Sequence, residues 1–205
     1  MHPELGLHEE NTSKRIQEEL GKMGVPYEVV GNRNVVGKIV GAKPGKALAI
    51  RADIDALPMQ EEIDWEYKST VPGVMHACGH DFHAAMLLSA ARMLKEEEAS
   101  LAGTVKFMFQ PAEETFQGAK DMIEHGILQN PKPDAALAFH VTTGHSPAGT
   151  YMYNASGTMM NSVDGFKITI HGRGSHGACP HQGIDPINIG VHIYLGLQAL
   201  IARES

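Results

Sequence analysis

With 205 residues, 42% of them apolar and 20% charged, the chain has the size of one domain, or of one domain and part of another. A formal net charge of −7 without a visible basic patch argues against a nucleic-acid-binding protein. No apolar run approaches the ~18 residues of a membrane span, and the first residues lack a signal-peptide pattern. Two cysteines, Cys78 and Cys179, cannot form a disulfide scaffold. We therefore expect a cytoplasmic protein that binds neither nucleic acid nor a membrane.

The hydrophobic pattern predicts alternating helices and strands. In chain order, it predicts a helix capped by Asn11 or Thr12, strands at 27–30, 34–41 and 47–55, a helix at 81–95 capped by Asp81, a strand at 104–111, a helix at 118–125 and a strand at 136–141. The runs at 47–55 and 136–141 have the apolar character of buried strands. This order indicates an α/β fold whose sheet contains parallel pairs.

The character of the sequence changes after about residue 156. Residues 156–162 form a polar, glycine-containing segment that could act as a hinge. The alternating pattern at 164–172 predicts a strand. Asp185 followed by Pro186 predicts a helix start, because aspartate can cap a helix and proline fits its first turn.

Histidine is the unusual residue of this chain, with twelve copies. Half of them surround the two cysteines: His76, His80 and His83 lie near Cys78, and His171, His176 and His181 lie near Cys179. Clusters of imidazole and thiol groups are candidate metal-binding or catalytic sites. These two segments are therefore the first candidates for a metal-binding or catalytic site.

Cys78 and His80 lie two positions apart in a glycine-containing loop before a predicted helix. In an extended segment such residues point the same way, so the sulfur and the imidazole could share one metal ion. The alternative is a buried cysteine beside helix-capping residues. Four Cys or His residues within nine positions favour the metal site.

Glu113 and Glu114 are adjacent in a loop that follows a predicted strand. Neighbouring side chains usually diverge, so one carboxylate could bind a metal ion while the other faces a water beside it. Metal-assisted hydrolysis needs this arrangement, because the metal acidifies the water and a free carboxylate takes its proton. Taken alone, an adjacent pair of glutamates is more often a solvated acidic loop.

Polar residues also follow two other predicted strands. His140 ends one strand, and Asp53 and Asp55 end another. Either aspartate could orient a ligand histidine or cap a loop, and His140 could be a plain core histidine. Because sites in open α/β sheets lie at the carboxyl ends of strands, these residues together indicate one site at a sheet edge. Thiolate and imidazole ligands favour zinc or a similar transition ion over magnesium. The site could hold two such ions.

His176 lies in the glycine-rich loop 172–181. The loop lacks the spacing of a phosphate-binding loop, and no strand–loop–helix nucleotide unit surrounds it. A histidine on a loop next to a hinge is better suited to donate a hydrogen bond to a developing oxyanion.

Six segments occur here in the same order as in a known family, and they span essentially the whole chain. They are MHPELGLHEENT, RADIDALP, MHACGHDFHAAML, QPAEET, FHV and GRGSHGACPHQGIDPI. By these segments the chain resembles the co-catalytic metal amidohydrolases, which include hippurate hydrolase, N-acyl-amino-acid amidohydrolases, auxin-conjugate hydrolases and N-acetyl-diaminopimelate deacetylase. That branch belongs with the aminoacylase and carboxypeptidase-G-like metallopeptidases. The pairing of HACGHD with PAEE is highly specific.

The resemblance implies a zinc-exopeptidase-like catalytic domain, a mixed sheet flanked by helices, into which a smaller α+β lid domain is inserted. Residues 1–160 would be the first part of the catalytic domain. Residues 161–205 would begin the lid, through which the complete protein would form a homodimer. Family members are roughly twice as long, so the chain is expected to be a fragment.

The resemblance also implies a role for each site residue. The metal ligands would be Cys78, His80, Glu114 and His140. The sulfur would bridge two divalent ions, zinc or manganese first, with cobalt or nickel as alternatives. Glu113 would be the general base and later the acid to the leaving amine. Asp53 would support the metal site, and His176 would stabilise the oxyanion, supplied across a dimer.

The leading functional hypothesis is a metal-dependent amidohydrolase that cleaves N-acyl amino acids, or related small amides, into a carboxylic acid and an amino acid. A second hypothesis is a metal-binding but inactive module, because the family's second half of the catalytic domain is missing. A third is a thiol hydrolase in which Cys78 is the nucleophile and a histidine is its base.

Overall fold

The core of the fold is a five-stranded mixed sheet. The computed structural model describes residues 1–144, 146–160, 162–163 and 165–203, with the side chains of 201–203 outside the described part. The strands are β1 (Tyr27–Val30), β2 (Asn34–Val40), β3 (Lys43–Asp53), β4 (Ala102–Gln110) and β5 (Ala135–Ala138). Across the sheet they are ordered β1-β2-β4-β3-β5, with β3 parallel to β4 and β5 and β2 antiparallel to β1 and β4. The predicted α/β class with a mixed sheet is confirmed.

Helices pack on both faces of this sheet. Within residues 1–147, these helices are α1 (Glu10–Lys22), α2 (His80–Glu96) and α3 (Gly118–Glu124). A short 3-10 helix at Pro180–Gln182 and α4 (Pro186–Arg203) belong to the later part of the chain. Side chains alternate along β4, so that Phe107 and Phe109 join the core cluster formed with α1 and α2. Met108 packs on the opposite face with Met122 of α3. Two apolar layers therefore hold the strands in register beneath the site.

The carboxyl ends of β3, β4 and β5 bring the predicted site residues to one edge of the sheet. β3 ends at Asp53, β4 ends three residues before Glu113, and β5 ends two residues before His140. Because β3 and β4 are parallel, their connection must cross over the sheet, and this connection contains Cys78 and α2. The topology alone therefore gathers segments that are far apart in the sequence.

The first helix begins earlier than the sequence predicts. It starts at Glu10, whereas Asn11 or Thr12 is the predicted cap, and the residue at its cap position forms no capping hydrogen bond through its side chain. The carboxylate of Glu4 instead accepts the backbone N–H groups of Asn11 and Thr12, at 3.1 and 2.8 Å. The acceptor, Glu4, lies in the segment before the helix, whereas a capping pattern includes only residues at the helix start itself.

β5 is exposed, so the prediction of a buried strand at 136–141 is wrong in this respect. The strand spans Ala135–Ala138, and all four of its residues are exposed. It is the last strand of the sheet, paired to β3 alone among the described strands. An apolar run predicts a strand but does not show whether that strand lies at the edge of its sheet.

The chain divides into two compact units, Met1–Pro147 and Ala148–Ser205. In the second unit, α4 begins at Pro186 as predicted. The predicted strand at 164–172 is wrong where it can be described, since residues 165–172 pair with no strand and the nearest pairing is a single bridge from Arg173 to Ile184. Asp164 of that strand and Asn161 of the predicted hinge lie outside the described residues.

The predicted domain boundary after residue 160 stays a prediction.

Among the described residues, no helix has both the length and the apolar character needed to cross a membrane.

Candidate metal centre

His80 lies at the centre of a cluster of side chains that can bind metal ions. Three triads of potential ligand atoms, each with its atoms within 4.8 Å of one another, contain it: Cys78–His80–His140, His80–Glu113–Glu114 and Asp53–His80–His83. Sγ of Cys78 is 3.4 Å from Nε2 of His140, and Nε2 of His80 is 3.8 Å from Oε1 of Glu114. The structure therefore brings together every predicted site residue of the first unit.

Asp55 fixes the orientation of His80. The residue before His80, Gly79, has a φ of 84°, and α2 begins at His80, one position before the predicted Asp81 cap. Nδ1 of His80 lies 2.9 Å from the backbone oxygen of Asp55 and 3.2 Å from its Oδ1. Both of these atoms are acceptors, so Nδ1 carries the proton of the neutral ring and Nε2 keeps its lone pair. This is the tautomer that a metal ligand at Nε2 requires.

The carboxylates around His80 create a site that favours positive charge. Burial is the largest single influence and opposes a charged ring, but Asp55, Asp53 and Glu114 together outweigh it and raise the pKa of His80. The hydrogen bonds that Asp55 accepts, from His80 first and then from the backbone of Glu114, similarly outweigh burial and lower the pKa of Asp55. The negative charge that favours a proton here favours a metal cation for the same reason.

Asp53 contacts a different histidine. Its carboxylate accepts a short hydrogen bond from Nδ1 of His83 and pairs with Arg51 at 2.8 Å. Nε2 of His83 accepts the backbone N–H of Val141 at 2.9 Å. Burial lowers the pKa of His83 in spite of Asp53, so the ring is neutral and both of its nitrogens are occupied. His83 therefore fastens the segment that carries His140 to the end of β3.

Two buried carboxylates, those of Glu9 and Asp55, hold the loop after β4 in place. Ala112 has a φ of 51°, and its N–H donates to Oε1 of Glu9 at 2.8 Å. The N–H of Glu114 donates to Oδ2 of Asp55 at 3.0 Å. Asp55 thus holds this loop with one oxygen and the histidine of α2 with the other. Burial raises the pKa of Glu9, whose second oxygen has no partner among the described residues.

Burial and nearby carboxylates change the titration of Glu113 and Cys78. Burial is the largest cause that raises the pKa of Glu113, and the charges of Asp53 and Glu114 add to it. Burial, followed by the charge of Glu114, raises the pKa of Cys78 to about 11. The metal-free cysteine is therefore a protonated thiol at neutral pH, whereas reactive cysteines have lowered pKa values.

Two buried polar atoms of the cluster have no hydrogen-bond partner among the described residues, namely Nε2 of His80 and Oε1 of Glu114. Such unpaired groups are uncommon, because each costs free energy. The two atoms are 3.8 Å apart, and an ion such as zinc binds each ligand nitrogen or oxygen at about 2.1 Å. One ion could therefore satisfy both atoms. With the thiol of Cys78 and the imidazole of His140, the donor set fits zinc-like transition ions.

His176 lies in the second unit. It is exposed, and its Nδ1 accepts the N–H of Ala178 at 3.1 Å. Its predicted contact with the oxyanion stays a prediction.

Sequence patterns do not assign a role at the site to His83 or Glu9. A signal exists for His83, which follows His80 by three positions on one helix and so shares its face. Nothing local marks Glu9, because its partner Ala112 is 103 positions away. The sequence is compatible with either Asp53 or Asp55 as the residue that orients His80, and it is Asp55 whose side chain hydrogen-bonds His80.

Comparisons with known proteins identify the family. Residues 49–193 match peptidase family M20/M25/M40. The IAA-amino acid hydrolase ILR1-like 4 of Arabidopsis thaliana is 47% identical over 205 residues, which cover 100% of this chain and 46% of that protein. The N-acyl-L-amino acid amidohydrolase of Geobacillus stearothermophilus is 40% identical over 204 residues, 98% of this chain and 54% of that protein. The chain belongs to this peptidase family, and the resemblance found in the sequence is confirmed.

A solved structure agrees with this assignment. The Bacillus subtilis YXEP protein, a dinuclear metal binding peptidase from the M20 family, matches with a TM-score of 0.66 and 42% identity over 69% of this chain and 39% of that one. The relatives are amidohydrolases and peptidases, which are enzymes that hydrolyse amides. The chain spans about half the length of the curated relatives it matches.

Replacing Asp55 should weaken metal binding without removing a ligand. In Asp55→Asn, the amide NH₂ cannot accept the N–H of Glu114, so the orientation of His80 and the loop position are no longer set together. We expect metal affinity to fall roughly 10- to 100-fold, the usual effect of losing such a supporting group. Competition with a fluorescent zinc chelator measures this affinity. The exposed Asp64→Asn is the matched control, and an unchanged affinity in Asp55→Asn would contradict the assigned role.

Glu9→Gln should become more stable relative to the wild type as the pH rises. Because the pKa of Glu9 is raised, the stability associated with its protonated form is lost as the pH rises through the folded-state pKa. Glutamine keeps an oxygen for the N–H of Ala112 and never ionises. Urea unfolding of the metal-free protein at mildly acid and mildly alkaline pH should show a shift on the order of 1 kcal/mol in favour of the variant. A difference that does not depend on pH would be inconsistent with a buried, titrating Glu9.

Proposed function

We propose that the protein is a metal-dependent amidohydrolase that cleaves N-acyl amino acids, or closely related small amides, into a carboxylic acid and an amino acid. One observation carries the proposal. Nε2 of buried His80 and Oε1 of Glu114 lie 3.8 Å apart, neither has a hydrogen-bond partner among the described residues, and Glu113 lies next to Glu114 on the same loop. This arrangement supplies ligands and a free carboxylate at one place, which is what hydrolysis with a metal-activated water needs. The names of the relatives support an amide of an amino acid as the substrate.

The proposal assigns the metal ions to four side chains. They are Cys78, His80, Glu114 and His140. Two divalent ions, zinc or manganese first and cobalt or nickel as alternatives, would lower the pKa of a water molecule and polarise the substrate carbonyl when bound. The carboxylates around His80 would help to retain these ions because they lower the local potential.

Glu113 would move the proton in this reaction. It would take a proton from the attacking water as the new carbon–oxygen bond forms, and would return it to the amine nitrogen as the carbon–nitrogen bond breaks. Burial and the nearby carboxylates raise the pKa of Glu113, which makes it a stronger base than an exposed glutamate. Asp53 would act indirectly. It accepts a hydrogen bond from His83, and His83 accepts one from the backbone N–H of the residue after His140.

The remaining parts of the proposal concern the complete protein. His176 would donate a hydrogen bond to the oxyanion as part of a lid that begins near residue 161 and forms a homodimer. Residues 1–160 would belong to the metal-binding domain. The cytoplasm is the compartment that belongs to this proposal.

Two other functions are weaker. A metal-binding module without turnover would use the same ligand set and differ only in the absence of hydrolysis. A thiol hydrolase is disfavoured, because the pKa of Cys78 is raised to about 11 rather than lowered. Hydrolysis of an N-acyl amino acid that stops when a chelator removes the metal would exclude both.

Glu113→Gln should abolish turnover while leaving metal binding intact. Glutamine keeps the shape of the side chain but cannot accept a proton, so kcat should fall by roughly 100- to 10,000-fold. Metal content by plasma mass spectrometry should stay at the wild-type value. The measurement uses the complete gene product, loaded with zinc or manganese and supplied with an N-acyl amino acid.

Glu114→Gln is the matched variant, because the same change one residue further on should remove metal instead. Exposed Glu124→Gln should leave both readouts unchanged. Turnover that survives in Glu113→Gln would show that another group takes the proton.

A further inference from the structure

The N-terminal segment, residues 1–9, lies against the glutamate loop, residues 111–117, which carries the two adjacent glutamates of the site. The segment is attached to the residues that follow β3. Leu5 pairs with Ala56 in a parallel bridge, and the backbone oxygen of Glu4 accepts the N–H of Ala56 at 2.8 Å. The N-terminal segment is therefore held at the same edge of the sheet as the metal cluster.

Gly6 shows how closely the N-terminal segment approaches the glutamate loop. A β-carbon at Gly6 would lie 3.2 Å from the Cα of Ala112 and 3.2 Å from Oδ2 of Asp55. These distances are shorter than a normal contact of a carbon atom, which is about 3.5–4.0 Å. The absence of a side chain at Gly6 therefore lets the segment pack directly against the loop and against the carboxylate that holds it.

Glu9 connects the same two segments by a hydrogen bond. The residue is fully buried, and its Oε1 accepts the N–H of Ala112 at 2.8 Å. Ala112 has a φ of 51°, a backbone conformation that is unfavourable for a residue with a side chain. Such a conformation persists only where the surrounding structure holds it. Glu9 supplies part of that constraint.

The backbone of Glu113 lies between two such attachments. The residue before it, Ala112, donates its N–H to Glu9, and the residue after it, Glu114, donates its N–H to Oδ2 of Asp55 at 3.0 Å. Without the acceptor of Glu9, the first attachment would be lost while the second would remain. The position of Glu113 would then be less well defined, whereas Glu114 would stay attached to Asp55.

Stability alone does not account for an acid at position 9. Burying a carboxyl group costs free energy unless its oxygens are hydrogen-bonded. Oε2 of Glu9 is buried and has no hydrogen-bond partner in the described part of the chain. An apolar side chain would avoid this cost, but it could not accept the N–H of Ala112. The contact with the glutamate loop is therefore what the acid specifically provides.

We propose that Glu9 is a positioning residue of the active site, which places Glu113 to take the proton of the attacking water. The proposal rests on the amidohydrolase function proposed above. Glu9 acts through the N–H of Ala112 and the backbone that follows it. A displacement of about 1 Å in a reacting group can lower a rate about 100-fold. One backbone hydrogen bond can therefore affect turnover strongly while the metal ligands stay in place.

Kinetics of two variants tests the proposal. Glu9→Met removes the acceptor with little change in volume, and Glu9→Gln keeps an oxygen for the N–H of Ala112. The metal-loaded complete gene product is supplied with N-acetyl-alanine or N-benzoyl-alanine, whichever the wild type cleaves faster. In Glu9→Met, kcat should fall roughly 10- to 100-fold with KM and metal content unchanged, and Glu9→Gln should regain most of that loss. Glu18→Met, at an exposed position of α1, is the matched control.

Amide hydrogen exchange reports on the glutamate loop without turnover. The N–H of Ala112 is hydrogen-bonded and its residue is fully buried, so it should exchange slowly in the wild type. In Glu9→Met, exchange in the peptide that contains residues 111–117 should become roughly tenfold faster, whereas Glu9→Gln should stay close to the wild type. Mass spectrometry measures the exchange, and circular dichroism checks folding. If Glu9→Met does not fold, the shorter Glu9→Asp takes its place with the same expected results.

The two measurements separate this proposal from the proposed function. If the wild type cleaves neither substrate but the loop exchanges faster in Glu9→Met, the amidohydrolase function is wrong and the attachment of the loop by Glu9 is supported. If hydrolysis occurs and Glu9→Met keeps the kcat of the wild type, the positioning role is overturned. A loss of metal in parallel with turnover, or a Glu9→Gln as slow as Glu9→Met, would overturn it as well.

Discussion

The hydrogen bond between Asp55 and His80 is the interaction on which the rest of the site depends. Both residues are fully buried, and burying charged or polar groups is costly unless they are paired. One oxygen of Asp55 contacts the ring of His80, and the other accepts the backbone N–H of Glu114. A single carboxylate therefore holds the ring of His80 and the backbone of Glu114, which come from different segments. Nε2 of His80 and Oε1 of Glu114 then lie close together with no hydrogen-bond partner in the described part of the chain, as a pair of metal ligands would.

This polar layer is supported by an ordinary apolar sheet. Phe107 and Phe109 of β4 are fully buried in the cluster formed with helices α1 and α2. Such close packing resists small shifts of the strands. The strand ends are consequently fixed points to which the site residues are attached. One example is the end of β3, where Asp53 hydrogen-bonds His83, and His83 in turn hydrogen-bonds the segment of His140. Rigid strands and buried hydrogen bonds together order the candidate ligands.

Much of the fold could be predicted from the sequence, because the periodicity of apolar residues reflects burial that each segment experiences locally. The strands that carry Asp53, Glu113 and His140 to the sheet edge were predictable for this reason. The exposure of β5 was not, since it depends on how many neighbours a strand has. The partners of the site residues were not predictable either. Asp55 and His80 are 25 positions apart, and no local pattern shows which aspartate contacts which histidine.

The central proposal is that one cluster holds two metal ions through Cys78, His80, Glu114 and His140. The most direct measurement is a crystal structure of the metal-loaded protein with anomalous diffraction recorded on both sides of the metal's absorption edge. A two-ion centre predicts two anomalous peaks within the cluster, with Nε2 of His80 and Oε1 of Glu114 each bonded to an ion. A cluster without an anomalous peak, or ions bound elsewhere while His80 stays unliganded, would contradict it.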